Sequence, residues 1–325
     1  MMKIDIFSHI MPERYGKALR EKSNRTPEIS RAGSYNASSQ LDNNSHIGAI
    51  SQTDVRMRLL DRYPDVLQVL TVTTPHLELL VTPADAIELA KIANDEMAEL
   101  VDKHPDKFIA AVACLPLGDI DASMKEADRA ITQLHLRGVQ IFSNINEEPL
   151  DTPKFRPLYE LMAKNDLPIW IHPWGTPKSP STSLAVNKIQ GFEWPFETTN
   201  AMQCLVQMGI FEDFPNIKII THHCGGMVPY FGLRAKMCGS RGRVEDFHKF
   251  YADTALYGNT GGLMCGYSYF GADHLLFGTD MPFALGGGYG FTQETIWSVE
   301  QMGIPASDKD KIFEGNARKL LKLSV

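Results

Sequence analysis

The sequence has no cluster of lysine and arginine that could attract a polyanion. Its 32 basic residues are dispersed among 39 acidic ones, for a formal net charge of -7. A field of that sign does not draw phosphate backbones, so nucleic acid is not an expected partner. Cysteine is sparse too. The five that occur (Cys114, Cys204, Cys224, Cys238 and Cys265) are odd in number and never in CxxC spacing. That pattern argues against a disulfide scaffold or a structural zinc cluster and fits a reducing cytoplasm. No charged leader followed by a long apolar segment begins the chain, and no apolar run approaches the roughly 18 residues of a membrane span, so no membrane partner is expected. Nucleotide signatures are missing as well. No G-x-G-x-x-G follows the first strand-like run, and the glycine-rich 286–290 (GGGYG) lacks the Lys-Ser/Thr of a phosphate loop, so it reads as a flexible rim.

What is present is a 325-residue chain with 43% hydrophobic content, enough for two domains or one large barrel. Residues 3–12 (KIDIFSHIMP) combine an apolar run with His9 close to its end, where a strand would empty into a turn. Residues 13–50 are polar and poorly periodic, with 33–45 the most loop-like part, and are either an insertion over a site or a mobile arm.

Beyond them the pattern becomes regular. A helix over 51–64 precedes the β-branched run 66–74. Thr82, Pro83 and Asp85 then supply a cap, a first-turn proline and an early acid for a helix with apolar spacing through Val101. Strands follow over 108–116, 138–142, 168–172, 217–223, 250–254 and 274–280, with helices expected around 121–135, 154–164 and 198–209.

That makes eight strands, written as continuous apolar runs rather than alternation, which marks burial on both faces. The expectation is an α/β fold, a distorted TIM (β/α)8 barrel forming a single domain over 1–325, with 13–50 inserted after strand one over the active-site face. A doubly wound sheet is the alternative.

Barrel sites are built at the carboxyl ends of the strands. His9 follows strand one, His172 ends strand five, His222 and His223 end strand six, and Asp280 closes strand eight. Imidazoles and a carboxylate converging from four strand ends are the composition of a divalent transition-metal site. Trp174, His76 after strand two, and Asn144 and Asn146 after strand four are candidates for the pocket wall.

In order along the chain, 3–12 (KIDIFSHIMP), 54–61 (DVRMRLLD), 105–116 (PDKFIAAVACLP), 138–141 (GVQI), 171–175 (IHPWG), 223–234 (HCGGMVPYFGLR), 251–255 (YADTA) and 277–283 (FGTDMPF) resemble the amidohydrolase superfamily. Within it they are similar to the branch of aminocarboxymuconate-semialdehyde decarboxylase and related aromatic-acid decarboxylases.

The resemblance implies metal ligation by His9, His172 and Asp280, and proton transfer by His223 with Asp280. Arg234 matches an arginine that in some relatives reaches into the neighbouring subunit's site, which implies a homodimer. It also implies one divalent ion, with zinc expected. The family's strand-one His-x-His is here Phe7-x-His9, a loss that opens manganese or magnesium as alternatives. Asn44 stands near the position of the arginine that holds a carboxylate in muconate-semialdehyde decarboxylases, so that compound is not the expected substrate.

The expected reaction is metal-dependent decarboxylation of an aromatic or unsaturated carboxylic acid. The alternative is metal-dependent hydrolysis of an amide, lactone or activated C–C bond. A third reading is a metal-free binding or regulatory barrel.

Overall fold

A computed structural model describes residues 1–25, 41–44, 46–175, 190–237, 243–283 and 289–323. Eight parallel strands run in chain order: β1 (Lys3–Ile10), β2 (Val66–Val72), β3 (Phe108–Ala111), β4 (Val139–Phe142), β5 (Ile169–His172), β6 (Ile219–Thr221), β7 (Tyr251–Asp253) and β8 (Leu275–Leu276). One ladder joins β1, β2 and β3, and a second joins β4 through β8.

Two seams complete the ring. Between β3 and β4, Ala113 pairs with Val139, and Gln140 N–H donates to the Ala113 carbonyl at 2.9 Å. Between β8 and β1, Ser8 pairs with Met281, Ile6 N–H donates to the Phe277 carbonyl at 3.0 Å and His9 N–H to the Met281 carbonyl at 2.9 Å. This is the distorted TIM-type barrel that the apolar runs predict.

The inside of the barrel is filled by Ile4, Ile6, Phe7, Val69, Val112, Trp170, Ile220 and Leu276. The indole N–H of Trp170 finds its acceptor across the barrel, on the Ile6 carbonyl at 3.0 Å. Such a partner is what lets a tryptophan be fully buried. Ala317, Leu320 and Leu321 of the C-terminal helix Asn316–Leu321 join the same cluster.

Helices cover the outside: α1 (Glu13–Ser23), α2 (Thr53–Leu60), α3 (Pro83–Lys103), α4 (Ile120–Thr132), α5 (Arg156–Asn165), α6 (Gln190–Met208), α7 (Val228–Met237), α8 (Thr260–Phe270) and α9 (Tyr289–Glu300). The predicted cap on α3 forms, with Thr82 Oγ1 accepting from Asp85 N–H at 3.2 Å. Among the described residues, no helix is long and apolar enough to cross a membrane.

Three expectations need correction. His9 lies within β1 rather than beyond it, because the strand continues to Ile10. The polar segment after β1 opens with a helix, α1, whose Tyr15 and Leu19 are buried. Its first N–H groups are satisfied from a distance: Arg14 N–H and Tyr15 N–H each donate to the Glu96 carboxylate of α3, both at 3.0 Å. Lastly, α6 begins at Gln190, well before 198. Pro195 lies inside it and has no N–H for one helical bond. The loop-like residues 33–40 and glycines 286–288 lie outside the described residues.

Candidate metal centre

Strand β1 carries a bulge between Asp5 and Ser8, where its register against β2 shifts. Bulges re-aim side chains. Here Phe7 and His9 share the inner side, their rings 6.0 Å apart. His172 closes β5, and its ring lies 5.1 Å from that of His9. His222 follows β6 directly, 5.2 Å from His172 and 5.8 Å from His9.

Each of the three buried imidazoles has its Nδ1 engaged. His9 Nδ1 pairs with Thr71 Oγ1 at 3.2 Å, His172 Nδ1 donates to the Pro173 carbonyl at 2.7 Å, and His222 Nδ1 donates to the Asp253 carboxylate. Fixing one ring nitrogen this way leaves the other as the donor that faces inward, the arrangement usual for metal-binding histidines.

Asp280 completes the cluster. Its Oδ1 lies 3.1 Å from His9 Nε2 and 3.4 Å from His222 Nε2, and its Oδ2 lies 3.9 Å from His223 Nε2. His9 Nε2, His222 Nε2 and Asp280 Oδ1 are all buried and make no hydrogen bond among the described residues. Buried polar atoms without partners are costly, and a cation at their common focus would satisfy all three.

Two overlapping sets have donor atoms within 4.8 Å of one another: His9, His172 and His222, and His222, His223 and Asp280. The residues present therefore fit a divalent ion. The family resemblance implies His9, His172 and Asp280 as ligands and leaves His222 out of the set. Its signal was the doubled His222-His223 at the end of β6, which spacing alone could not resolve.

Electrostatics follow from the same crowding. Burial pushes the Asp280 carboxyl up, but the His222 imidazole beside it, with those of His223 and His9 close by, holds it well below the usual carboxylate range. For His222, burial pulls down and is outweighed by Asp253 and Asp280, which push the imidazole up to about 10. Burial lowers His9, His172 and His223, and the charge on His222 lowers each of them further.

The turn after β6 carries His223 away from the centre. His223, Cys224, Gly225 and Gly226 all have positive φ (52°, 54°, 76° and 62°). A side chain at 226 would meet the Pro195 carbonyl at 2.3 Å and one at 225 the Phe270 ring at 2.7 Å, so only glycine fits at either position. Asp253 Oδ1 accepts from Cys224 N–H at 2.9 Å, holding the turn while its Oδ2 holds His222.

His223 and Asp280 line a cavity of about 580 Å³ together with Trp194, Tyr257, Phe283 and Phe291. The Trp194 ring lies 5.5 Å from His172 and 6.1 Å from His223. Trp194 is not among the expected pocket residues; it lies in the part of α6 ahead of the helix expected around 198–209.

Several expected wall residues are placed elsewhere. Trp174 is buried and His76 is paired with Glu78 at 3.1 Å, and neither lines this cavity. Asn146 sits exposed in a turn at φ 51°, where a short polar side chain tolerates the left-handed region. Arg234 is exposed on α7, outside the cavity. Asn44 does line the cavity, but its amide nitrogen already donates to Thr73 Oγ1 at 3.2 Å and to the Thr74 carbonyl at 2.6 Å.

The family model described as amidohydrolase matches residues 7–323. The chain is 29% identical over 341 residues to 2-amino-3-carboxymuconate-6-semialdehyde decarboxylase of Dictyostelium discoideum, covering 99% of this chain and 92% of that protein. It is 30% identical over 291 residues to gamma-resorcylate decarboxylase of Rhizobium sp. (strain MTP-10005), covering 83% and 87%. A crystal structure of 2,6-dihydroxybenzoate decarboxylase complexed with 2,6-dihydroxybenzoate superposes with a TM-score of 0.81 at 25% identity, over 99% of this chain and 100% of that one. With the barrel and its clustered imidazoles in place, this protein belongs to the amidohydrolase family and is an enzyme of its aromatic-acid decarboxylase branch.

Proposed function

We propose that this amidohydrolase-family decarboxylase acts on a hydroxylated aromatic carboxylic acid, with an ion held by His9, His172 and Asp280 and with His223 moving the proton. The observation that carries the reading is the convergence of buried, unpartnered Nε2 and Oδ1 atoms beside an aromatic-lined cavity. Imidazole donors with one carboxylate suit zinc or manganese better than magnesium, which prefers an all-oxygen shell. When bound, the divalent ion would neutralise the substrate's carboxylate and the adjacent oxygen charge.

The described lining of the cavity offers no lysine or arginine to hold a carboxylate. Trp194, Phe283 and Phe291 are suited to grip a flat ring and exclude water. Asn44, whose amide nitrogen is already committed, is consistent with a substrate other than the muconate semialdehyde.

His223 is held below its ordinary value chiefly by burial, so it enters the reaction neutral. It can take the proton of the substrate's hydroxyl and return it to the neighbouring ring carbon, with Asp280 Oδ2 at 3.9 Å as the second acid or base. The bond from that carbon to the carboxyl group then breaks, its electron pair stays on the ring, carbon dioxide leaves, and a solvent proton restores the hydroxyl.

Three wider features belong to the same reading. The family match over 7–323 supports a single domain, and Asn43, Asn44 and Ile47 at the cavity support an active-site role for the 13–50 insertion. Tyr230, Leu233 and Met237 are 78%, 78% and 84% exposed on α7 beside Arg234, and an apolar strip of that kind supports a homodimer. Cys114, Cys204, Cys224 and Cys265 are free thiols, in keeping with a cytoplasmic protein, and Cys238 lies outside the described residues.

The test is a screen of hydroxybenzoates and unsaturated acids for released carbon dioxide, with and without chelator. Chelator-sensitive release from a hydroxybenzoate supports the proposal. Turnover of amides or lactones without carbon dioxide release would favour hydrolysis, and full activity after removal of all metal would overturn the metal-dependent reading.

A further inference from the structure

We infer that His222 is itself a metal ligand and occupies the coordination role that Phe7 leaves vacant. The inference rests on the metal-dependent reading above and goes beyond it in the identity of the donors.

Four observations converge. The His222 imidazole is the one member common to both donor sets, so a site built without it would leave those sets unconnected. Its Nε2 is buried without a hydrogen-bond partner and lies 3.4 Å from Asp280 Oδ1, while its Nδ1 is locked on the Asp253 carboxylate. A carboxylate behind a histidine fixes the ring's tautomer and strengthens its other nitrogen as a donor, as is common for metal-binding histidines.

The third observation is the stack. The rings of Phe7 and His222 lie 4.0 Å apart with an interplanar angle of 13°, and His223 stacks on the opposite face of His222, also at 4.0 Å and with an angle of 24°. Phe7 thus orients the imidazole through its face and has no donor atom with which to compete for an ion. The fourth is positional. The side chain at 7 shares the inner side of β1 with His9, so the phenyl ring stands where a second strand-one imidazole would point, and the next ring in the stack carries the missing nitrogen.

The consequence is a division of labour within the doubled histidine. His222 coordinates, and the positive-φ turn that begins at His223 reserves the second imidazole for the cavity. The donor set becomes His9, His172, His222 and Asp280, contributed by β1, β5, β6 and β8.

The experiment compares wild type, His222→Asn and the double variant Phe7→His/His222→Asn, reading affinity for zinc and manganese in metal-buffered solution and the absorption spectrum of the cobalt-substituted protein. We expect His222→Asn to lose affinity by about a hundredfold or more, since partners one step further from the metal already cost 10–100-fold. Returning an imidazole at position 7 should recover at least about tenfold of that loss.

Recovery by the double variant cannot come from a misfolded protein, so this arm decides the matter even if His222→Asn folds poorly. Unchanged affinity and cobalt spectrum in His222→Asn would overturn the inference, as would a double variant no tighter than the single. Wild type that binds no ion at all would instead overturn the metal-dependent reading on which the inference rests.

Discussion

Asp5 and Thr279 close the barrel on each other: the Asp5 carboxylate accepts from the Thr279 backbone N–H at 2.9 Å and from its hydroxyl at 2.6 Å. Ser8 Oγ adds a third bond at 2.7 Å. A charge in the middle of β1 thereby fixes the start of the loop that carries Asp280, which ties the strength of the seam to the aim of the candidate site.

Burial outweighs those bonds and pushes the Asp5 carboxyl up to about 6. A folded-state value above the unfolded one means that the folded protein holds the proton more tightly. The stability this proton contributes is complete below about pH 4 and is lost as pH rises through 6. The unfolding free energy of wild type relative to Asp5→Asn should therefore fall by up to about 3 kcal/mol between pH 4 and pH 7. Denaturant titrations at several pH values check this; a difference that stays flat would contradict it.

His223 lines the cavity, and in our proposal it lies outside the ligand set. His223→Asn should lower kcat by roughly 10² to 10⁴, the range for loss of a positioned acid–base group, and leave metal stoichiometry unchanged. Elemental analysis beside steady-state kinetics separates the two effects.

Asp280 should behave differently, because its Oδ1 sits within 3.4 Å of two imidazole nitrogens. Asp280→Asn is expected to lose bound metal and turnover together. Chelation of wild type should lower its melting temperature, and saturating metal at about 100 times Kd should restore about 2.7 kcal/mol of stability. Calorimetry with added zinc or manganese measures the shift.

Trp194 presents its ring to His172 and His223 and walls the cavity. Replacing it with alanine removes an aromatic face worth about 1 kcal/mol or more and should raise KM several-fold to roughly tenfold. Metal content should not change. Trp174→Ala, by contrast, should act mainly through stability, since that ring is buried away from the cavity.

The exposed strip on α7 gives a test of assembly. Leu233→Glu places a charge in the middle of Tyr230, Leu233 and Met237 and should convert a dimer to a monomer in light scattering, with little change in monomer stability. A wild-type monomer at micromolar concentration would rule out the dimer directly.

Much of the fold was written locally. Continuous apolar runs such as 66–72 and 168–172 become buried strands because no face of a barrel strand meets water, and the cap at Thr82 works through a residue only three positions away. The strand ends likewise made His9, His172, His223 and Asp280 visible as candidates, because a barrel gathers those ends on one face. Helix α1 was not legible, because the carboxylate that caps it, Glu96, belongs to a different helix.

By itself, then, the sequence determined the number and order of the strands and which strand ends carry imidazole and carboxylate groups, since these depend on neighbours in the chain. Tertiary structure alone decided which histidine of the 222–223 pair turns toward the centre, that Phe7 stacks upon it, and that Trp194 rather than Trp174 reaches the cavity. Those outcomes hang on backbone torsions after β6, on a bulge in β1 and on a helix that begins ahead of its proline. Each is settled by packing between segments far apart in the chain.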